Sequence, residues 1–499
     1  MFDLQSIDDR QRVIAQSTPN QHKSALGQYM TPSVVARFMA GMFNPLFGKN
    51  IRLLDAGAGI GSLCAAFAER ASYECASSLK CEAWEIDPRL HVALAETLSA
   101  CGESMATHGT RFSRVILPND FILAAAGHFH RENTPAPTHA ILNPRYKKVI
   151  SASAHRYALR ERGIETSNLY SAFGALALIA LADDGELVAI TPRSFCNDPY
   201  FRPFRELILS HAAIMQVHVF GSRTHAFRSD EVLQENVIFH LVKGAKQGVV
   251  IASSSADSSF FAVRTRTTPF DEMVFPGDRE KIFHLATEYE PAETAQAMRR
   301  YCFTLDELGL AVSTGPVVDF RMREHLCDEP GEGRAPMVYS HHFAGGFAHG
   351  FVAHPKLTAK KPNFIYVNDA TAKWLMPTGC YAVVRRVSSK EERRRIVTAV
   401  FTPDAAPGAL IGFDNKTNII HQSKKGMPIN VAKGMAIYLG STFADLWLRR
   451  FSGHTQVNAG DLRALRYPSI DTLEAWGRTV DRALPSQAEI DHLVGGVAS

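Results

Sequence analysis

The sequence predicts an α/β chain: a doubly wound, mostly parallel sheet, preceded by a short helical segment and followed by an α+β module. Three observations predict it. Between Ile51 and Leu241, short aliphatic runs alternate with helical stretches. One of those runs, Leu53-Leu54-Asp55, enters a glycine-rich turn that opens a helix. After Ala311 the alternation with long helices fades, and Gly, Pro, Asn and His interrupt short strands.

The 499 residues exceed the usual size of a single core, so two domains are the natural organisation. Roughly the first 25 residues are polar and helical, and Thr31-Pro32 starts a second helix that runs through Val34 to Phe43. The six aliphatic runs are Ile51–Asp55, Cys81–Asp87, Ala140–Asn143, Glu186–Ile190, Val217–Phe220 and Asn236–Leu241. Residues 246–310, with a serine-rich piece at 253–259, read as a connection between the modules. The expected organisation is therefore a helical cap over 1–45, a catalytic α/β domain over 46–245, the connection, and a second domain over 311–499.

With 46% apolar and 21% charged residues the composition is that of a soluble globular protein. No long apolar run or leader is present, so a membrane partner is not expected and the chain reads as cytoplasmic. The eight cysteines are scattered, with no Cys-x-x-Cys or Cys/His cluster, and read as reduced thiols rather than metal ligands; no metal is expected. Charge is unevenly placed. Residues 311–470 carry 21 Lys/Arg against 12 Asp/Glu, a net +9, while residues 1–310 carry 31 against 33, a net −2. A basic second half suits a polyanion, because cations that neutralise phosphates release condensed counterions.

The run Asp55-Ala56-Gly57-Ala58-Gly59-Ile60-Gly61-Ser62 departs from a dinucleotide fingerprint, since its third glycine comes one residue early and a carboxylate precedes the first by two. It resembles the S-adenosylmethionine loop of Rossmann-like methyltransferases, in which Asp55 would attract the cationic methionine end and Ala56, Gly57 and Gly59 would let the backbone approach the ligand. Trp84-Glu85-Ile86-Asp87 ends the next strand. Glu85 is the candidate for ribose hydroxyls and Ile86 for the cofactor's adenine ring, with Asp87 the weaker choice. At the next strand end, Asp120 could read the adenine amine while Phe121 packs its ring.

Ala140-Ile-Leu-Asn143-Pro144-Arg145-Tyr146-Lys-Lys148 resembles the Asn-Pro-Pro-Tyr motif of amino-group DNA methyltransferases. The lone pair of adenine N6 is delocalised into the ring, so a site that alkylates it must accept hydrogen bonds from the amine. The Asn143 side-chain oxygen and the Pro144 carbonyl are suited to that, with Tyr146 stacking on the base. After the fifth strand, Phe201, or failing it Tyr200, is the candidate for the base's other face. Leu26-Gly27-Gln28-Tyr29-Met30-Thr31-Pro32 resembles the segment that covers the methionine moiety, with Gln28, Tyr29 and Thr31 as contacts.

The order of cap, cofactor loop, catalytic loop and recognition domain is that of the gamma class of N6-adenine methyltransferases. The resemblance extends to the PstI/BsuBI type of type II restriction-modification systems through Thr314–Arg321, Phe413–Gln422 and Phe451–Asn458. It implies site-specific methylation of a flipped-out adenine in double-stranded DNA, S-adenosylmethionine as cofactor, a bacterial cytoplasmic protein on the nucleoid, and a cognate endonuclease on a separate chain. Arg385, Arg386 and Lys416 are candidate DNA contacts in the basic region. Arg145 stands where the motif has its second proline. It suggests a contact to a DNA phosphate, and leaves open a weakly active or noncatalytic cofactor-dependent DNA-binding module. A nuclease-like Pro403-Asp404 with Asp414-Asn415-Lys416 is the other reading of the basic region.

Overall fold

The computed structural model describes residues 4–17, 30–128, 135–220, 236–255, 258–285, 300–348, 361–388, 392–405, 408–452 and 456–495. The chain divides into two compact units, Met1–Glu288 and Tyr289–Ser499.

In the first unit the strands are β1 (Asn50–Ala56), β2 (Ser78–Trp84), β3 (Arg111–Leu117), β4 (His139–Leu142), β5 (Glu186–Pro192), β6 (Ala212–Phe220), β7 (Asn236–Lys243), β8 (Val250–Ser255) and β9 (Arg264–Thr268). They form one sheet in the order β3-β2-β1-β4-β5-β7-β6-β8-β9. The first five are mutually parallel, and β7 runs antiparallel between β5 and β6. This is the Rossmann-like methyltransferase architecture. β8 and β9 extend the sheet through a stretch that the sequence had marked as a connection; their alternation of Ser, Thr and Arg lacks the apolar run by which the inner strands are recognised.

Successive side chains of a strand face opposite sides, so Leu53 and Leu54 enter different cores. One core is closed by the helices Phe121–His128, Leu169–Ala180 and Arg202–His211, and the other by Ser33–Gly41, Ser62–Tyr73 and His91–Thr107. The polar N-terminal helix spans Leu4–Ser17 and buries Leu4 and Ile7 in the second core. Its Asp8 accepts hydrogen bonds from the backbone N and hydroxyl of Ser33, at 2.8 and 2.6 Å. That pair satisfies the first backbone N–H of the helix that Thr31-Pro32 opens.

The second unit contains a six-stranded sheet, in the order Ala311–Thr314, Thr417–His421, Tyr381–Arg385, Thr398–Phe401, Phe347–Ala348 and Phe343–Ala344, and a five-stranded sheet around Arg334–Val338. Helices follow from Ile429 onward, so the unit is α+β. Two of them, Ile429–Leu439 and Ile470–Arg478, touch through glycines. A Cβ on Gly434 would lie 1.8 Å from the carbonyl oxygen of Leu473, and one on Gly477 would lie 1.8 Å from that of Asn430. Backbone cannot yield as a flexible side chain can. Gly434→Ala is therefore expected to destabilise this unit by about 3 kcal/mol despite alanine's better helix propensity. Urea unfolding monitored by circular dichroism checks this; a loss under about 1 kcal/mol would contradict the close crossing.

Among the described residues, no helix is long and apolar enough to cross a membrane. None of the eight cysteines is in a disulfide, and four of them, Cys64, Cys81, Cys101 and Cys196, are buried.

Candidate active site

The loop after β1 is shaped by hydrogen bonds to its neighbour: Gly57 N and Ala58 N both donate to the Trp84 carbonyl, at 2.9 and 2.8 Å. Gly59 and Gly61 have φ of 58° and 89°, a region that side-chain-bearing residues rarely adopt. A Cβ on Gly61 would press on Leu94 and Thr97, whereas one on Gly59 meets nothing within 4 Å. Gly61 is thus demanded by packing, and Gly59 leaves open space where a ligand can approach.

That space is part of a cleft lined by Thr31, Gly57, Gly59, Ser62, Glu85, Asn143 and Arg145 among others. A second cavity is lined by Ile86, Asp120, Phe121, His155 and Phe173 and shares Gly57, Glu85 and Arg145 with the first. Together they form a groove across the carboxyl ends of the parallel strands, where open α/β sheets bind ligands.

The structure brings most of the expected residues into this groove. Glu85 is 2% exposed; its Oε2 accepts from Gly59 N at 2.9 Å, and its Oε1 accepts from Asp87 N at 2.8 Å and from Arg145 Nη2 at 3.1 Å. Asp87 instead caps the turn that follows, binds Arg89 bidentately, and is held below the usual carboxylate range by that arginine. Ile86 is exposed toward the second cavity. Asp120 accepts from Leu123 N at 3.0 Å and pairs with His155 Nε2 at 2.8 Å, while Phe121 is buried edge-on against Trp84.

Asp55 and Ala56 are buried at the end of β1 beneath the loop and do not line either cavity. Asp55 Oδ2 accepts from the Cys64 thiol at 3.2 Å, and Oδ1 has no hydrogen-bond partner among the described residues. Burial, opposed by the Cys64 hydrogen bond and reinforced by the charge of Glu85, pushes the Asp55 pKa up to about 7. An unsatisfied buried acceptor under an open glycine turn fits a ligand whose nearby end is cationic, and the donor and acceptor set of the groove fits S-adenosylmethionine.

Asn143 follows β4 because the apolar run His139–Leu142 stops at Asn-Pro. Its Nδ2 donates to Thr31 Oγ1 at 2.9 Å and its Oδ1 accepts from the Tyr146 hydroxyl at 3.2 Å. The Tyr146 ring meets Tyr170 edge-on at 6.1 Å. Pro144 is buried between Asn143 and Arg145.

Several readings of the sequence change. Arg145 turns inward to Glu85 and is only 15% exposed, so its charge is spent on a buried carboxylate rather than offered to a phosphate. Phe201 is 6% exposed and packs against Tyr170 in the core, whereas its neighbour Tyr200 is 75% exposed. In the basic region, Arg385 pairs with Glu392, and Arg386 donates to the Asn415 carbonyl and the Asn458 side chain, so both hold the second unit together. Lys416 is exposed. No group of three or more His, Cys, Asp or Glu that could hold a metal is present among the described residues. Gln28 and Tyr29 lie outside the described residues.

Sequence reasoning missed Gln11 and His155. Gln11, on the first helix, donates to the Thr31 carbonyl at 2.9 Å and to Ser62 Oγ at 2.6 Å, closing the first cavity. Its partners lie 20 and 51 residues away, and no local pattern could signal them.

No family model matches the chain. Two curated proteins do: type II methyltransferase M.BsuBI of Bacillus subtilis is 45% identical over 478 residues, covering 94% of this chain and 93% of that protein. Type II methyltransferase M.PstI of Providencia stuartii is 41% identical over 494 residues, covering 98% and 96%. The chain belongs to this family of type II DNA methyltransferases. Among solved structures, the DNA-bound type ISP restriction-modification enzyme LlaBIII matches 96% of this chain and 41% of its own, at 10% identity and a TM-score of 0.47.

Proposed function

We propose that this protein transfers the methyl group of S-adenosylmethionine to N6 of an adenine flipped out of double-stranded DNA, at a specific site protected from a cognate endonuclease carried on a separate chain. The observation that carries the reading is Asn143: its side chain lines the same cavity as the glycine loop and is anchored there by Thr31.

When bound, S-adenosylmethionine supplies a methyl carbon activated by a sulfonium that departs as a neutral thioether. Thr31 and Gln11 would wall the methionine side, Glu85 would accept from the ribose, and Ile86, Asp120 and Phe121 would surround the adenine. Asn143 Oδ1 and the Pro144 carbonyl accept hydrogen bonds from the target amine, which hold its lone pair along the line of attack; the amine's proton then passes to water. The Tyr146 hydroxyl occupies Asn143 Oδ1 before the base arrives. The incoming amine takes its place and frees the Tyr146 ring to stack on the base. The chemistry requires no metal.

Residues 1–45 act as the cap, 46–245 as the catalytic domain, whose sheet β8 and β9 of the 246–310 stretch extend, and 311–499 as the DNA-reading domain, with Lys416 an exposed candidate for a phosphate contact. The bacterial cytoplasm, on the nucleoid, is the corresponding location. The test is incubation of the purified chain with tritium-labelled cofactor and duplex DNA, followed by mass spectrometry of the nucleosides. N6-methyladenine is the expected product. Methylcytosine, or label only in RNA or protein, would overturn the reading.

A further inference from the structure

Resting on that reading, we propose that Arg145 is a cofactor-binding residue, forming with Glu85 a donor–acceptor pair that grips the ribose diol of S-adenosylmethionine.

The two cavities share three residues, Gly57, Glu85 and Arg145. A ligand with its amino-acid end beside Thr31 and Asn143, and its base beside Ile86 and Phe121, must pass its sugar between them. A carboxylate offers about four lone-pair sites. Three of Glu85's are taken, by Gly59 N, Asp87 N and Arg145, which leaves one on Oε2. Glu85 alone therefore satisfies one hydroxyl of a vicinal diol. The other finds its partner in Arg145, whose guanidinium carries five N–H groups and makes a single hydrogen bond among the described residues, the 3.1 Å bond to Glu85.

Charge supports the same assignment. A lone cation this near a sulfonium would repel it, but a cation paired with a buried carboxylate presents a neutral dipole. The pair also links the loop after β4 to the loop after β2. It supplies by a tether the rigidity that a second proline would have supplied by its ring.

The test is calorimetric titration of the full chain with S-adenosylhomocysteine and with its 2′-deoxy and 3′-deoxy analogues, using the native protein, Arg145→Gln, Arg145→Lys and Arg145→Pro. Thermal melts confirm that each variant is folded. Arg145→Gln and Arg145→Pro are expected to weaken S-adenosylhomocysteine about tenfold, or about 1.4 kcal/mol. Lysine recovers part of the loss, and removing a ribose hydroxyl costs less in the Gln variant than in the native chain.

Unchanged affinity in Arg145→Gln would overturn the proposal. So would tighter binding, which would mean that the arginine blocks the sugar's place. A third contrary result is an unchanged ligand affinity with a salt dependence of DNA binding reduced by about one charge, the signature of a phosphate contact. If the folded native chain binds no S-adenosylhomocysteine at all, the proposed function itself fails; if it binds but the variants and analogues act independently, only the role of Arg145 does.

Discussion

Asn143→Ala is expected to lower kcat about a thousandfold, near 4 kcal/mol of transition-state stabilisation, while weakening S-adenosylhomocysteine no more than about threefold. The asymmetry follows from the two ends of the side chain. Nδ2 donates to Thr31 Oγ1, a contact on the cofactor's side, but Thr31 is independently held through its carbonyl by Gln11 and by the Asp8 cap on Ser33. Oδ1 accepts from the Tyr146 hydroxyl at 3.2 Å, a long bond that a better donor displaces. An acceptor needed chiefly as the amine loses its conjugation is felt in kcat and little in ground-state binding. Single-turnover methyl transfer at saturating cofactor and DNA measures it. A kcat above about a tenth of native would remove Asn143 from the chemistry.

How far the site could be read in advance depends on the range of the interactions. The run from Leu53 through Ser62 is legible because strand, turn and helix are each dictated by neighbouring residues, and the positive φ of Gly57, Gly59 and Gly61 is a demand of the turn itself. Asn143 is legible for the same reason: an apolar strand stops at Asn-Pro, so the asparagine stands at a strand end. What stayed hidden is pairing between polar groups remote in sequence. Arg145 finds Glu85 sixty residues earlier, and His155 finds Asp120 thirty-five earlier. Arg395 lies in the basic region, in a run of three arginines, yet it is fully buried, donating to the Ser452 and Gln456 carbonyls while its backbone N bonds to Asp445. Composition reports a charge; only the fold decides whether it meets solvent or a buried acceptor. Phe201 makes the same point for an aromatic, since a ring beside the site and a ring in the core look alike in sequence.

Asp55 makes the second large effect a matter of pH. Its folded pKa of about 7 lies well above its ordinary 3.8, chiefly through burial, with the charge of Glu85 adding to the rise. The folded chain therefore keeps a proton that the unfolded chain gives up. Its contribution to stability is fully present below about pH 4 and is lost as pH rises through 7, by as much as about 4 kcal/mol. Asp55→Asn is neutral throughout. Subtracting its denaturation free energy from that of the native protein, pH by pH, is expected to isolate a term that falls between pH 4 and 8. A flat difference would show that Asp55 is ionised in the fold at all these values. Ligand binding runs the opposite way. The ammonium and sulfonium of S-adenosylmethionine favour the charged carboxylate, so cofactor affinity in the native chain should increase from pH 6 to pH 8, with proton release detectable by calorimetry in buffers of different ionisation enthalpy. In Asp55→Asn that increase should vanish: affinity stays within about threefold of native at pH 6 and falls about tenfold behind it at pH 8. Equal pH dependence in both proteins would locate the titrating group elsewhere and leave Asp55 as a buried prop beneath the glycine turn.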